Sequence, residues 1–346
     1  MKRILIIRLS AIGDVIMASG LIPALRNTWP GAHIAWLVEP QSQDLLRHNP
    51  RLDEVIVWPR NQWRQLWKAR RYRELFKQLR HFIGTLRERR FDLVLDAQGL
   101  LKSGVWAWLS GAKERIGLGS REGSQYLMTR VLSRATQDRR IGSEYLHLAR
   151  TLGLETGNFP MDIAVAAHDA ESAERHCRTQ GITPPYAVFC PFTTRPQKHW
   201  FEDRWAALSQ ALPTRLGMNA VLLGGPSDRE AAARIAAAGH PALGNLVGRT
   251  NLGEAAAVIR NARLLIGVDT GLTHLGIAFA VPTLALFGAT RPYLDPATPR
   301  ARILYHPLAC SPCRWHPTCD GAFTCMQLHT VENLVDSARS LLAASP

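Results

Sequence analysis

Three stretches of this chain place charged, small and hydroxyl-bearing residues directly after β-branched apolar runs, where a strand hands over to a loop. The first is Ser10-Ala11-Ile12-Gly13-Asp14. It has a single glycine where a dinucleotide fingerprint needs three at fixed spacing, so it is not a NAD loop. Gly13 permits a tight turn, and Asp14 enters a helix whose first-turn dipole favours a carboxylate. That carboxylate is placed to take a proton from a bound hydroxyl, or to act only as an N-cap. The second stretch is TTRPQKHW at 193–200. Its two hydroxyls, an Arg and a Lys suit a diphosphate, with the ammonium neutralising developing charge; a solvated polar loop is the other reading. The third, GVDTGLTH at 267–274, opens a buried strand through a bare backbone at Gly271 into an apolar helix. Asp269, Thr270, Gly271 and His274 together describe an anion site at a helix N-terminus, with Asp269 suited to sugar hydroxyls. Capping by Asp269 or Thr270 is the alternative.

Two further clusters carry chemistry. Residues 60–90 hold eleven Lys/Arg and two Glu, +9 of the chain's net +14. Leu75, Leu79, Phe82, Ile83 and Leu86 recur there at helical spacing, so the later half docks one face on a core. Trp63 and Trp67 interleave with Arg64 and Lys68, a pattern suited to an anionic membrane surface, against a plain solvated helix face. Near the C-terminus, Cys310-x₂-Cys313-x₅-Cys319-x₅-Cys325 brings four thiols together, with His316 as a fifth ligand. Such a set could hold structural Zn or Fe tetrahedrally, or remain as reduced thiols or a disulfide. Cys177 and Cys190 read as packing residues.

These residues need elements to position them. Apolar runs at 4–9, 33–38, 55–58 and 93–96 read as strands, with a helical pattern at 14–27 between the first two. A second series at 187–190, 220–223, 264–268 and 283–287 alternates with helices at 228–238 and 252–262, after the turn-rich boundary Gly157-Asn158-Phe159-Pro160. Strands alternating with helices imply parallel sheets, and the fold class is α/β with two doubly wound Rossmann-like domains. Residues 1–158 form the first and 159–328 the second, with a C-terminal helix in 329–346. Open α/β sheets bind ligands at their carboxyl edges, so two such domains are expected to face each other across a cleft.

Composition narrows the class further. The chain has 346 residues, 46% hydrophobic and 20% charged, enough for two real cores and inconsistent with disorder. The opening lacks the h-region of a secretory signal, and the longest stretch without acidic or basic residues, 270–290, is interrupted by His274 and Pro282; a cytoplasmic protein without a membrane span is expected. The surplus of 42 Lys+Arg over 28 Asp+Glu points to an anionic partner. Basic residues with aromatics also suit RNA, but no RNP or KH signature is present, so no nucleic-acid partner is expected.

Four stretches, RLSAIGDV at 8–15, LDAQGLLKS at 95–103, TTRPQKHW at 193–200 and VDTGLTH at 268–274, make the chain resemble the glycosyltransferases of family nine, the bacterial ADP-heptose:lipopolysaccharide heptosyltransferases, over nearly its whole length. LDAQGLLKS and the basic segment are most similar to the heptosyltransferase I subgroup, which adds the first heptose to the Kdo of the lipid A core. The cysteine run is similar to that of heptosyltransferase II and protein O-heptosyltransferases. The resemblance implies a GT-B architecture, an inverting reaction and no cofactor required for catalysis. It makes Asp14 the general base and Lys198 the contact to the donor diphosphate, with Thr193 and Thr194 beside it. Asp269, Thr270, Gly271 and His274 then bind donor phosphate and heptose, and Asp228 the ribose, an aspartate standing where the family carries glutamate. Arg60, Arg64, Lys68 and Arg121 become acceptor contacts for acidic Kdo sugars and lipid A phosphates. The implied partners are ADP-heptose, Kdo-lipid A and the cytoplasmic surface of the inner membrane. A core heptose or a protein hydroxyl is the alternative acceptor, and a basic nucleic-acid-binding module the alternative class.

Overall fold

The structure, a computed structural model, describes residues 1–134, 137–313 and 316–344. The chain divides into two compact units, residues 1–138 with 142–164, and residues 139–141 with 165–346.

The first unit is built on six parallel strands, β1 (Arg3–Ile7), β2 (His33–Val38), β3 (Glu54–Val57), β4 (Leu93–Asp96), β5 (Glu114–Leu118) and β6 (Arg130–Leu132). Their spatial order is β3-β2-β1-β4-β5-β6. Both faces are covered, which explains the unbroken apolar run of β1. Ile4 and Ile6 pack into one core with Leu21, Leu25, Tyr145 and Phe159, while Leu5 and Ile7 enter another with Trp58, Trp63 and Trp106. The helical pattern at 14–27 resolves into two helices, Ile12–Ala18 and Leu21–Thr28. The break coincides with contacts from residues 159 and 162, far along the chain. Ser19 Oγ bonds the Ile16 carbonyl at 2.6 Å and accepts from the Asp162 amide, and a Cβ at Gly20 would meet the Phe159 ring at 2.7 Å.

The second unit repeats the plan with β7 (Tyr186–Cys190), β8 (Asn219–Leu222), β9 (Gly244–Asn245), β10 (Leu264–Val268), β11 (Thr283–Phe287) and β12 (Ala301–Tyr305). The order is β12-β11-β10-β7-β8-β9, all parallel. The C-terminal helix Val331–Ala343 buries Leu334, Val335, Ala338 and Leu341 in the same core as Ile266 and Leu286. Strands β5, β6, β9 and β12 went unread in the sequence. They lie at or next to the sheet edges, where short length, Gly and Arg dilute the apolar signal.

In each sheet the strand order reverses once, between β1 and β4 in the first unit and between β7 and β10 in the second. Loops leaving the carboxyl ends of those paired strands diverge to opposite sides and leave a crevice, the usual ligand position of an open α/β sheet. Asp14 follows β1, the LDAQGLLKS segment runs from the end of β4 through the loop into the next helix, Lys198 follows β7 and Asp269 follows β10.

Candidate active site

The loop after β1 holds Asp14 in the first turn of its helix, where its Oδ2 accepts from the Ala11 amide at 3.2 Å. The capping alternative is therefore part of the geometry, but not all of it. Arg8, buried at the end of the strand, brings Nη2 to 2.6 Å from the same carboxylate oxygen and donates Nη1 to the Ala97 carbonyl at 3.0 Å. Burial opposes the Arg8 charge, yet the neighbouring Tyr145 and Asp14 hold its pKa above the ordinary value. The Asp14 side chain stays 34% exposed, so one carboxylate edge is anchored and the group still reaches solvent.

Beside it, Asp96 at the end of β4 accepts from the amides of Gln98 and Gly99 and from Ser103 Oγ. Burial raises its pKa. It sets the loop, while Lys102, at the start of the next helix, extends Nζ to Ser10 Oγ and to Glu39 Oε1, both at 3.2 Å. Glu39, buried at the carboxyl end of β2, also receives Arg60 at 3.5 Å. A cavity of about 490 Å³ opens here, lined by Trp58, Leu101, Lys102, Val105, Trp106 and Glu122. Arg60, Arg64, Lys68 and Arg121 are all exposed, and Arg121 closes its own turn through its backbone, donating to Gly99 and accepting from Ser124. Trp63 departs from the expected membrane-facing pattern. It is buried, with Nε1 donating to Gln78, because it packs edge-on against Phe82 and leaves Trp67 outside.

In the second unit the loop after β7 folds through a short 3₁₀ turn, Pro196–Lys198, that carries the lysine toward the loop after β10. Lys198 Nζ lies 2.5 Å from Asp269 Oδ2, and both side chains are 15% exposed. Thr290 Oγ1 donates to the same oxygen at 2.6 Å, and His274 Nε2 stands 3.6 Å from Oδ1. Burial alone would raise the Asp269 pKa. His274 and Lys198 overcome it and hold the carboxyl well below the usual carboxylate range. His274 Nδ1 meets the Tyr293 hydroxyl at 2.9 Å, which fixes the ring with Nε2 toward Asp269. Thr270 and Gly271 open the helix Gly271–Ala278 at this point. Thr193 is half-buried, with its carbonyl 2.8 Å from His199 Nε2, and Thr194 is exposed. Asp228 lies after β8 and accepts from the Gly225 amide at 2.8 Å, so one of its oxygens closes its own turn.

The four cysteines expected as a metal set or as thiols, Cys310, Cys313, Cys319 and Cys325, lie in the segment that follows β12. All four are free cysteines, ranging from exposed Cys310 to buried Cys325. Burial, with the neighbouring thiols adding to it, raises Cys313 and Cys325 above the ordinary thiol value. Among the described residues no group of three or more His, Cys, Asp or Glu is placed to hold a metal ion. Residues 314 and 315, inside this run, lie outside the described residues.

Arg8, Glu39, Lys102, Thr290 and Tyr293 were not singled out from the sequence. Arg8 left one signal, a charge interrupting an otherwise apolar strand run. Thr290 and Tyr293 left none, since they reach Asp269 and His274 from the segment after β11 only through the fold.

Known proteins match this arrangement. The family model for glycosyltransferase family 9 (heptosyltransferase) matches residues 79–321. Lipopolysaccharide heptosyltransferase 1 of Pseudomonas aeruginosa is 32% identical over 316 residues, covering 90% of this chain and 86% of its own. A family 9 glycosyl transferase from Veillonella parvula superimposes with a TM-score of 0.83 at 24% identity, over 99% of this chain and 98% of its own. The Escherichia coli heptosyltransferase WaaC with ADP-2-deoxy-2-fluoro heptose does so with a TM-score of 0.74 at 24% identity, over 98% and 99%. The fold is GT-B, and the chain belongs to glycosyltransferase family 9, the heptosyltransferases.

Proposed function

We propose that this enzyme moves L-glycero-D-manno-heptose from ADP-heptose to the Kdo-containing inner core of lipopolysaccharide, with inversion at the anomeric carbon. The first unit takes the acceptor and the second the nucleotide sugar. The observation that carries this reading is the convergence of a cation, a carboxylate, an imidazole and a helix N-terminus at the crevice of the second sheet, while the crevice of the first offers a half-open carboxylate.

The chemistry follows from those groups. Asp14 accepts the proton of the acceptor hydroxyl as its oxygen bonds to the anomeric carbon. The bond from that carbon to the diphosphate oxygen breaks on the opposite face, and ADP leaves with the electron pair. Lys198 has three donors; its ammonium meets the Asp269 carboxylate and, at 3.5 Å, the Asp269 carbonyl, which leaves a donor for phosphate oxygens, where charge grows during the step. The amides of the Gly271–Ala278 helix, together with Thr193 and Thr194, add donors without a net charge of their own. Asp269, held ionised, is a strong acceptor for sugar hydroxyls, and the second oxygen of Asp228, which accepts from Ser227 Oγ at 3.3 Å, has a further lone pair for ribose. Arg60, Arg64, Lys68 and Arg121 face the acidic acceptor. One base and one cationic cradle account for the reaction without a cofactor.

No described helix is long and apolar enough to cross a membrane. An acceptor embedded in lipid therefore requires the enzyme to work at the bilayer surface, and we place it on the cytoplasmic face of the inner membrane. The name of the Pseudomonas aeruginosa relative supports the first-heptose assignment.

The test is incubation with ADP-heptose and a panel of truncated lipid A acceptors, reading ADP release and acceptor mass. Addition of one heptose to a Kdo-terminated acceptor is expected. A mass increase seen only on acceptors already carrying heptose would move the chain to another subgroup, and none on any acceptor would refute the reading.

A further inference from the structure

The helices Arg60–Lys68 and Tyr72–Glu88 form a hairpin whose inner side is settled by packing. Trp63, Leu66 and Leu86 are buried, with Leu75, Leu79, Phe82 and Ile83 against the same core. The outer side carries Tyr72, Arg73, Phe76, Lys77, Arg80 and His81, all exposed and spaced to share one face of the second helix. Three of the exposed groups are large aromatics. Trp67 is 62% exposed, Phe76 61% and Tyr72 50%. Trp67 closes the first helix and meets Tyr72 edge-on, ring centroids 5.2 Å apart, so the aromatics cluster at the turn. Around them, the side chains of Arg64, Lys68, Arg70, Arg73, Lys77 and Arg80 are exposed and form no ion pair or hydrogen bond among the described residues. Arg71 pairs with Glu74.

A face that merely needs solvation calls for the charges and not for clustered aromatics. We infer that this aromatic knuckle, with its collar of unpaired cations, seats the enzyme on an anionic lipid bilayer. The inference rests on the proposed lipid-linked acceptor and names the surface that reaches it. Indole and phenol rings favour the headgroup zone, Phe76 reaches the acyl boundary, and the Lys and Arg stems extend to lipid phosphates. A second copy would bring the same positive face and repel. The phosphates of a nucleic-acid duplex would satisfy the cations but leave Phe76 in water.

The test is co-sedimentation of the full chain with vesicles of phosphatidylglycerol and phosphatidylethanolamine, against vesicles of phosphatidylcholine. The wild type should bind the anionic vesicles, and W67A/Y72A/F76A should bind them at least about tenfold more weakly, with heptose transfer to an acyl-free acceptor in solution unchanged. Independently, brominated lipids should quench wild-type fluorescence more than that of W67F, which reads insertion without the triple variant. Equal vesicle binding by wild type and triple variant, equal quenching of W67F, no preference for anionic lipid, or tighter binding to RNA than to vesicles would each overturn the inference. Aromatic-dependent binding to anionic vesicles together with no heptose transfer to any acceptor would uphold the surface and refute only the reaction.

Discussion

Replacing Lys198 by methionine keeps most of the side chain's volume and removes its charge from a site where Asp269 has little solvent. At 2.5 Å the pair attracts by about 6–7 kcal/mol at an effective dielectric of about 20. Desolvation of both groups offsets part of that, and breaking a buried pair costs about 3–5 kcal/mol, because the surviving charge is stranded. For a unit of this size that is a fall in Tm of roughly 6–20 °C. Lys198→Met/Asp269→Asn leaves no stranded carboxylate and should regain about 1–3 kcal/mol relative to the sum of the single variants. The pH dependence has a definite sign. Asp269 titrates lower folded than unfolded, so its stabilisation is complete above about pH 4, the unfolded carboxyl value, and fades as pH falls toward the folded pKa. Asp269→Asn should therefore flatten the acid limb of stability, and Lys198→Met should make it shallower. Thermal unfolding by circular dichroism from pH 3 to 8, with and without ADP, measures all of this. A Tm for Lys198→Met within a degree of wild type, or strict additivity in the double variant, would refute the argument. Loss of the cation at the leaving group should also lower kcat by about 10²–10³-fold.

Asp14→Asn keeps a hydrogen-bond acceptor for Arg8 though not its countercharge, and should lower kcat by about 10²–10⁴-fold with acceptor KM nearly unchanged and some loss of Tm; near-normal turnover would remove Asp14 as the base. Asp14→Ala should be destabilised further, because buried Arg8 then loses the acceptor as well as the charge. The combined change Arg60→Ala, Arg64→Ala, Lys68→Ala should raise acceptor KM and leave ADP affinity intact in calorimetry, since Lys102 still neutralises Glu39; equal loss of both would contradict an acceptor role. Tyr293→Phe removes the hydroxyl that orients His274 and should weaken ADP-heptose binding by about 0.5–1.5 kcal/mol without changing the acceptor KM. In native protein a thiol reagent should modify Cys310 first, and Cys190, buried within the second sheet with its pKa pushed far up, only on unfolding.

The reading of particular residues shows where sequence signals stop. Strands buried on both faces announced themselves as apolar runs, which is why 33–38, 93–96, 264–268 and 283–287 coincide with β2, β4, β10 and β11 to the residue. The helix pattern at 14–27 misled because periodicity records which face is apolar and is blind to a kink set by Phe159, more than a hundred residues away. Trp63 and Trp67 are alike as letters in a basic stretch; packing against Phe82 and Trp106 buried one and left the other out. The four cysteines near the C-terminus are likewise alike as letters. Their spacing suggested one tetrahedron, and the fold gave them environments running from exposed to buried.

Local chemistry follows the chain, and so the order of residues by itself determined the two α/β series, the loops that carry Asp14, Lys198 and Asp269, and the concentration of charge at 60–90. These depend on neighbours within a turn or a strand. Which groups meet was decided only by tertiary structure. Lys102 and Arg60 on Glu39, and Thr290 and Lys198 on Asp269, are contacts across strand ends, whereas Arg8 with Asp14 and His274 with Asp269 meet within one strand-to-helix connection. The energy of a buried charge depends on distance and exclusion of water, and neither quantity exists until the sheets have closed around it.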